Sequence, residues 1–315
     1  MDTLNLVNPA ARALTEAFAA FDPTRQSIDD YRAGLTEMFP PPPSQPGIDF
    51  EEQLADGVRL LLYHPPVRTV SPVPAILFLH PSGFISGAPE MFMAANKALA
   101  QQHNALVVTV QYRLSPEAVF PAPLQDAYAG LAWLFEHAEQ LGVDRDRIVV
   151  MGESAGGGLA AMLTLLARDR REYQLVGQVL LYPMLDPRTG TADAPAHNPT
   201  TGEFVWTERH NRYAWSALGG VQPIGEAWLP YFSPAEAADV TGLPPTFIAV
   251  GALDLFLEED VEFSLRLSRA RVPVELHVYP GGVHGFNFVS STITSQYESD
   301  LDVALTRMLA PTPRG

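Results

Sequence analysis

The stretch 148-IVVMGESAGGG-158 joins a short apolar run to a glycine-rich turn, and an apolar segment, LAAMLTLLA, follows it. The turn has the form Gly-x-Ser-x-Gly with Ser154 at its centre. In a strand–turn–helix of this form the serine sits in strained backbone geometry, and its neighbours must be small because the strand and the helix crowd together. The helix also points its amide donors at the turn, which favours negative charge there. We therefore predict Ser154 as a nucleophile; the alternative is a glycine-rich turn whose serine only caps the helix.

Short apolar, β-branched runs recur along the chain and mostly alternate with segments of helical pattern. Continuous apolar runs suit strands that are covered on both faces. Strand–helix alternation indicates a mostly parallel α/β sheet with helices on both faces. The predicted strands are Val58–Tyr63, Ala75–Leu79, Ala105–Val110, Ile148–Met151, Val179–Tyr182, Thr246–Val250 and Val274–Val278, and the predicted helices between them are Pro89–His103, Leu124–Glu139, Ala155–Arg168 and Glu258–Ala270.

Two parts of the chain fall outside this alternation. Residues 9–21 and 27–38 carry apolar residues at helical spacing, and a stiff proline-rich linker, Pro40–Pro46, follows them. Residues 186–232 are rich in proline with one short helical pattern, and so long a connection inside a compact domain is functional or a small subdomain. The predicted organisation is a helical cap formed by residues 1–47 and 186–232 over a core formed by residues 48–185 and 233–315.

Composition excludes several classes of function. Thirty-six acidic and 20 basic residues give a net charge of −16, a field that repels nucleic acid and anionic membranes. The chain has no cysteine, so disulfides, thiolate metal sites and a cysteine nucleophile are excluded. The N-terminus lacks the basic patch and apolar core of a secretory signal, and the apolar runs are far shorter than the ~20 residues of a membrane helix. We expect a cytoplasmic protein with no nucleic-acid or membrane partner.

A serine hydroxyl needs a base to take its proton near neutral pH. His284 lies in a glycine-rich turn directly after a predicted strand, and Asp254 lies just past another. His277 falls inside a strand pattern and is interpreted as structural. The order Ser154, Asp254, His284 is that of α/β hydrolases, and each residue leaves the C-terminal end of a strand, so all three can meet at one edge of the sheet.

From about residue 58 to 309 the sequence resembles the hormone-sensitive-lipase-like esterases, bacterial family IV of the α/β hydrolases. The matching text is 112-YRLSPE-117, 120-FPAPLQDAYAGLAWL-134, GESAGG, LLYPMLD, SPAEA and YPGGVHGF. The resemblance implies the α/β-hydrolase fold, a mostly parallel central sheet with helices on both faces and a helical cap. It implies Ser154 as nucleophile, His284 as base and Asp254 as the acid that orients it.

The sequence departs from this family at two places near the predicted site. Glu153 stands where the family has Asp before the nucleophile. After the acid, 254-DLFLEE-259 replaces Asp-Pro-Leu-Arg-Asp-Glu, which leaves the loop less constrained but keeps the carboxylate. Glu258 and Glu259 are rival acids, interpreted as charges at a helix N-terminus.

A third departure follows the strand at 76-ILFLHPSGF-84, where His80 and Ser82 look at first like a reacting pair. The family has His-Gly-Gly-Gly-Phe here, and the resemblance assigns oxyanion-hole amides to the second and third glycine positions, Ser82 and Gly83, with Ala155 as third donor. Pro81 has no N–H and cannot donate. His80 is then a residue that orients the loop, and Ser82 is expected to act through its backbone, so Ser82→Ala should keep most activity; a hydroxyl that reaches the substrate is the alternative.

The resulting hypothesis is a serine carboxylesterase that hydrolyses short- to medium-chain acyl esters through an acyl-enzyme, without metal or cofactor. Phe84, Phe204 and Trp206 are candidate substrate-pocket residues, with cap–core packing as the alternative for each. Amide or carbamate cleavage would use the same triad, and a non-catalytic receptor on this fold is a second alternative that His284 argues against. The expected partner is a small-molecule ester; the resemblance makes a homodimer an option, and nothing in the sequence fixes the oligomeric state.

Overall fold

The computed structural model describes residues 3–47, 49–66 and 72–311, and an eight-stranded sheet lies at its centre. The strands are β1 (Glu51–Ala55), β2 (Val58–Tyr63), β3 (Val73–Leu79), β4 (Leu106–Val110), β5 (Val143–Glu153), β6 (Gly177–Leu181), β7 (Thr246–Gly251) and β8 (Val274–Tyr279). Their order across the sheet is β1-β2-β4-β3-β5-β6-β7-β8. The β1–β2 and β2–β4 pairs are antiparallel, and the other pairs are parallel.

Helices cover both faces of this sheet. They are α1 (Arg12–Phe18), α2 (Ile28–Met38), α3 (Met93–Gln102), α4 (Ala122–Glu136), α5 (Ala138–Leu141), α6 (Ala155–Arg170), α7 (Glu208–Gly219), α8 (Leu229–Phe232), α9 (Leu257–Arg269) and α10 (Thr292–Met308). Alternate residues of β3 enter two separate apolar clusters because successive side chains of a strand point to opposite faces. One cluster includes α4, α6 and α9, and the other includes α3 and α10.

The predicted mostly parallel sheet with helices on both faces is confirmed. The seven predicted strands correspond to β2–β8, with bounds that differ by a few residues. The strand β1 is not among the predicted strands, since its residues, EEQLA, are mostly polar and carry no apolar run. Its burial alternates along the strand, as expected for the outermost antiparallel strand of the sheet.

The topology brings three loops together at one edge. The strands β5, β6, β7 and β8 are consecutive neighbours and parallel, so their carboxyl ends point the same way. Ser154 directly follows β5, Asp254 follows β7 by three residues, and His284 follows β8 by five. Residues from distant parts of the chain therefore meet at the edge where open α/β sheets bind their ligands.

The N-terminal segment (residues 3–47) and the insertion (residues 186–232) contact each other. Arg209 of α7 forms an ion pair of 2.6 Å with Asp22, and His210 Nε2 lies 2.7 Å from the carbonyl oxygen of Phe21. Thr3 donates to the Glu203 carboxylate over 2.6 Å. These contacts join the two parts of the chain that the sequence analysis assigns to a cap.

Glycines allow β5, α6 and the neighbouring loops to approach closely. A Cβ added at Gly152 would lie 2.1 Å from the carbonyl oxygen of Gly156, and one at Gly156 would lie 2.1 Å from that of Leu79. A Cβ at Gly158 would lie 2.0 Å from the carbonyl oxygen of Met184. Backbone oxygens cannot move aside as a flexible side chain does, so these positions admit no side chain.

We predict that Gly158→Ala destabilises the protein by about 1–3 kcal/mol through overpacking. The sign is diagnostic, because Gly→Ala inside a helix otherwise stabilises by about 0.5–1 kcal/mol. Urea unfolding followed by circular dichroism measures the difference. Gly219→Ala is the matched control, since Gly219 is also helical and the atom nearest to the Cβ it would add is a ring carbon of Phe232 at 3.6 Å, an ordinary contact. Equal midpoints for the two variants would contradict the packing argument.

Candidate active site

Ser154 lies at the turn between β5 and α6 with φ +54° and ψ −122°. This left-handed region is strained for a residue with a side chain. Three backbone hydrogen bonds hold it: Ser154 N donates to the Leu181 oxygen over 2.9 Å, and the Ser154 oxygen accepts from Gly158 N at 2.9 Å and Met184 N at 3.0 Å. The predicted sharp turn is present, and the serine caps no helix with its side chain.

The structure brings Ser154, His284 and Asp254 into one hydrogen-bonded chain. Ser154 Oγ lies 2.9 Å from His284 Nε2, and His284 Nδ1 lies 2.8 Å from Asp254 Oδ2. Asp254 Oδ1 accepts from the backbone N–H of Phe256 at 3.0 Å, which fixes the carboxylate without the family's proline and arginine. All three side chains are buried. The arrangement provides a nucleophile, a base and a group that orients the base.

The rival residues are engaged elsewhere. Glu259 accepts from Leu185 N at 2.7 Å and from the Thr189 hydroxyl, and Glu258 accepts from Asn198 at 2.9 Å. His277 Nε2 contacts Glu275 at 2.8 Å. Asp254 is thus the carboxylate that reaches His284 in the described part of the chain.

Aromatic rings and a buried carboxyl surround His284. The ring of Tyr182 lies 4.5 Å from the imidazole, that of Phe256 lies at 5.3 Å and that of Trp206 lies at 6.0 Å, measured between centroids. Tyr182 also donates its phenolic proton to Asn287 over 2.5 Å, and Asn287 donates to Glu153 over 3.3 Å. Glu153, the last residue of β5, therefore joins the strand before Ser154 to the loop that carries His284.

Glu153 is buried, and this desolvation raises the pKa of its carboxyl to about 7, although the hydrogen bonds from Asn287 and Tyr182 oppose the rise. Its Oε2 lies 3.3 Å from the Tyr182 hydroxyl. Both hydrogen bonds favour the ionised carboxylate, so the rise in the pKa of Glu153 comes from its burial.

Two of the predicted oxyanion donors, Ser82 and Gly83, follow β3, which pairs with β5, and the third, Ala155, directly follows Ser154. The amides of Ser82, Gly83 and Ala155 donate no hydrogen bond to another described residue, so they are free for a ligand. Gly83 and Phe84 have φ of +55° and +63°, and the turn closes through bonds of 3.0 Å from Ile85 N and Ser86 N to the Ser82 oxygen. Tight left-handed geometry at consecutive residues turns the backbone sharply here.

The Ser82 hydroxyl faces the protein interior, not the site. Ser82 Oγ accepts from the Phe84 amide at 2.8 Å and lies 2.7 Å from the Tyr112 hydroxyl. The Tyr112 hydroxyl has a single proton, and it donates this proton to the His80 carbonyl oxygen, 2.6 Å away. The proton between Tyr112 and Ser82 therefore belongs to Ser82, which donates to the Tyr112 oxygen. An ordered chain of donors thus runs from the Phe84 amide through Ser82 and Tyr112 to His80.

His80 does not act as a base toward Ser82. Its ring stacks on Tyr112 at 4.4 Å, and its Nδ1 lies 3.2 Å from the Pro81 oxygen. Burial lowers its pKa to about 4, so the imidazole stays neutral. The apparent reacting pair of the sequence is part of the support for the oxyanion turn.

The three predicted pocket aromatics differ in position. Trp206 lies against the oxyanion turn, where a Cβ at Gly83 would be 2.3 Å from its ring. Phe204 is half-buried and packs against the apolar cluster that contains Val205. Phe84 is 0% exposed, and its ring centroid lies 5.7 Å from that of Trp215 in the insertion. This is the alternative of cap–core packing, and it leaves Phe84 no surface toward the site in this structure.

Comparison with known proteins gives the site its context. A family model described as the alpha/beta hydrolase fold matches residues 76–288. Similar proteins include the carboxylesterase NlhH of Mycobacterium tuberculosis, 32% identical over 89% of this chain and 88% of its own, and the esterase LipI of the same organism, 31% identical over 84% of each. The solved structure of a bacterial heroin esterase superposes with a TM-score of 0.88 at 31% identity, covering 98% of this chain and 100% of that one.

The chain belongs to the α/β-hydrolase family. Its predicted place among the hormone-sensitive-lipase-like carboxylesterases is confirmed, and it is a serine carboxylesterase that acts on small esters. Across the described residues of this esterase, no helix is long and apolar enough to cross a membrane, and no group of three or more histidines and carboxylates could hold a metal ion.

The sequence analysis missed the residues that support the site. Tyr182, Asn287 and Tyr112 contact Glu153 or Ser82 only through the fold, from positions 29 to 134 residues away. The available clue was the pair of departures from the family, since Glu153 and Ser82 each bring a polar group that needs a buried partner.

We predict that Ser82→Ala lowers kcat about tenfold, because it leaves the buried Phe84 amide without its acceptor, a defect of about 1–3 kcal/mol. This revises the expectation of a nearly neutral change. Ser82→Pro should lose more, about 10²–10³-fold, because it removes the donor itself. Steady-state kinetics with circular dichroism as a fold control measures both, and full activity of Ser82→Ala would show that the hydroxyl chain is dispensable.

A second prediction concerns pH. Because the folded protein holds the Glu153 proton up to about pH 7 and the unfolded chain releases it near pH 4.5, the free energy of unfolding falls as pH rises between these values. Relative to Glu153→Gln, the wild-type protein should lose about 3 kcal/mol over this range.

Chemical denaturation of both proteins at a series of pH values measures this difference. Glu117→Gln is the control of opposite sign, because its hydrogen bond with Arg32 lowers the pKa of Glu117 to about 2, so wild-type stability relative to that variant falls as pH drops. A wild-type–Glu153→Gln difference that does not change with pH would contradict a neutral Glu153.

Proposed function

We propose that Ser154, His284 and Asp254 are the catalytic triad of this esterase. The observation that carries the proposal is the continuous hydrogen-bond chain, 2.9 Å from Ser154 to His284 and 2.8 Å from His284 to Asp254. These are the distances over which a base takes a proton from its nucleophile and a carboxylate holds the base.

The reaction follows from this geometry. Ser154 Oγ attacks the ester carbonyl carbon as its proton passes to His284 Nε2, and Asp254 stabilises the imidazolium that forms. The tetrahedral intermediate collapses when the carbon–oxygen bond to the alcohol breaks, and His284 returns the proton to the departing alcohol. Water then attacks the acyl-enzyme with His284 again as base, which releases the acid and restores the serine.

The amides of Ser82, Gly83 and Ala155 are the proposed oxyanion hole. The free N–H groups of Ser82 and Gly83 lie on the turn after β3, the strand that pairs with β5. Ala155 directly follows Ser154 as the first residue of α6, where the helix dipole adds positive potential. Such preorganised donors stabilise charge that develops only in the transition state, so they raise kcat more than they improve substrate binding.

The N-terminal segment and the insertion form the proposed cap, and short- to medium-chain esters are the proposed substrates. Trp206 of the insertion packs on Gly83 and next to His284, and Ser154 is only 3% exposed. Phe39 of the N-terminal segment lies 5.8 Å from Phe288, four residues after the base. Bulky rings this close to the triad favour acyl groups of limited length.

Two experiments test these assignments. A fluorophosphonate should label the wild-type protein stoichiometrically and leave Ser154→Ala unlabelled, and kcat of this variant should be reduced by at least about 10⁴-fold.

The second experiment concerns chain length. Across p-nitrophenyl acetate, butyrate, octanoate and palmitate, kcat/KM should be highest for acetate or butyrate and lowest for palmitate. Retention of activity by Ser154→Ala would refute the triad, and a maximum at palmitate would refute the chain-length proposal.

Cytoplasmic location and a homodimer stay predictions. The dimer has one structural support, since β8 is the outermost strand of the sheet and Val278 on it is exposed. An unpaired strand edge is a ready template for pairing with a second copy of the chain.

A further inference from the structure

Arg32 of α2 crosses from the N-terminal segment to the loops beside the active site. Its Nε donates to the Ile85 oxygen over 2.7 Å, and its Nη2 donates to the Ser115 oxygen over 3.0 Å. The same guanidinium forms a bidentate pair with Glu117, with bonds of 2.6 and 2.8 Å. One side chain thus makes four hydrogen bonds, two of them to backbone carbonyls of the core.

Both carbonyls belong to segments that shape the oxyanion turn. Ile85 is the far end of the turn, because its N–H closes the turn onto the Ser82 oxygen at 3.0 Å. Ser115 holds the same turn from outside, since its N–H donates to the Phe84 oxygen over 2.8 Å. The guanidinium therefore links Ile85, at the end of the turn, to Ser115, in the neighbouring segment that supports the turn.

We propose that Arg32 is a positioning residue for the oxyanion hole, so that the N-terminal segment contributes to the chemical step and does not only cover the substrate. The inference rests on the proposed function, because it takes the amides of Ser82 and Gly83 as the donors.

The physical reason is preorganisation. An oxyanion donor is effective only if it is already aimed at the developing charge, and a turn with two residues at positive φ needs restraint on both sides. The Ser82–Tyr112 chain restrains the turn from the interior, and Arg32 restrains it from the side of α2. Arginine suits this task because its planar fork places several donors in fixed directions, which lysine cannot do.

A second ion pair of the N-terminal segment provides a matched control. Arg209 binds Asp22 at 2.6 Å and joins the N-terminal segment to the insertion, but makes no bond to the oxyanion turn. Arg209→Gln also removes an arginine–carboxylate ion pair of the N-terminal segment, and we expect it to leave kcat unchanged. Glu117→Gln keeps both carbonyl bonds of Arg32, and its effect should be small.

We expect Arg32→Gln to lower kcat about tenfold while KM changes less than about twofold, the pattern of an interaction realised in the transition state. The affinity for a trifluoromethyl ketone that adds to Ser154 should fall by a similar factor. The measurement is steady-state kinetics on p-nitrophenyl butyrate with inhibition constants for the ketone. An increase in KM alone, or no difference between Arg32→Gln and Arg209→Gln, would overturn the inference.

Two further variants keep the test decisive if Arg32→Gln folds poorly. Arg32→Lys should give an intermediate kcat, because an ammonium reaches one carbonyl but not both segments. In Arg32→Ala, added methylguanidinium should restore part of kcat. Tetramethylammonium at the same ionic strength is the control, because it carries the charge but has no N–H donor, and it should restore none. Absence of both effects in folded variants would refute the role of Arg32. Loss of activity in Ser154→Ala tests the proposed function separately, since it does not depend on Arg32.

Discussion

The left-handed backbone at Ser154 is the constraint on which the site depends. A residue held in a sparsely populated region of φ and ψ costs about 1–3 kcal/mol, and surrounding bonds must over-determine it. Here the strand neighbour at Leu181, the helix at Gly158 and the loop at Met184 all bond to this one residue. The glycines around Ser154 have no side chains to keep the neighbouring backbone segments apart. The Ser154 hydroxyl therefore lies at the edge of the sheet, within hydrogen-bond distance of His284.

Buried carboxyl groups are a second common feature of this region. Desolvation raises the pKa of Glu153, and it raises those of Glu259 and Asp260 well above their ordinary values. Neither carboxylate oxygen of Asp260 has a hydrogen-bond partner among the described residues, which only a neutral group tolerates at such depth. These acids therefore add less negative charge around the proposed triad than their number suggests.

Sequence reasoning located the elements with strong local patterns. The Gly-x-Ser-x-Gly turn, the strands before Asp254 and His284, and the α/β alternation all carry their information within a few residues, and the structure has them. The strand β1 was missed because its burial comes from pairing with β2 and not from its own composition. The contacts of Arg32 could not be predicted for a related reason. Arg32 and Glu117 are 85 residues apart, and charged residues in a helix or a loop ordinarily face solvent. Phe84 was assigned to the pocket because it follows Ser82 and Gly83 in the sequence, but its ring is buried against Trp215 of the insertion, a contact between distant residues that the sequence does not reveal.

The contacts between Asp22 and Arg209, Phe21 and His210, and Thr3 and Glu203 span 187 to 200 residues of the chain. The first helices leave the ribosome early, yet their partners emerge roughly 10–40 s later at typical elongation rates of about 5–20 residues per second. During that interval the apolar faces of these helices have no native surface to cover. Closure of the cap over the proposed nucleophile is thus a late step of biogenesis, because it waits for residues of the insertion, far along the chain from the first helices.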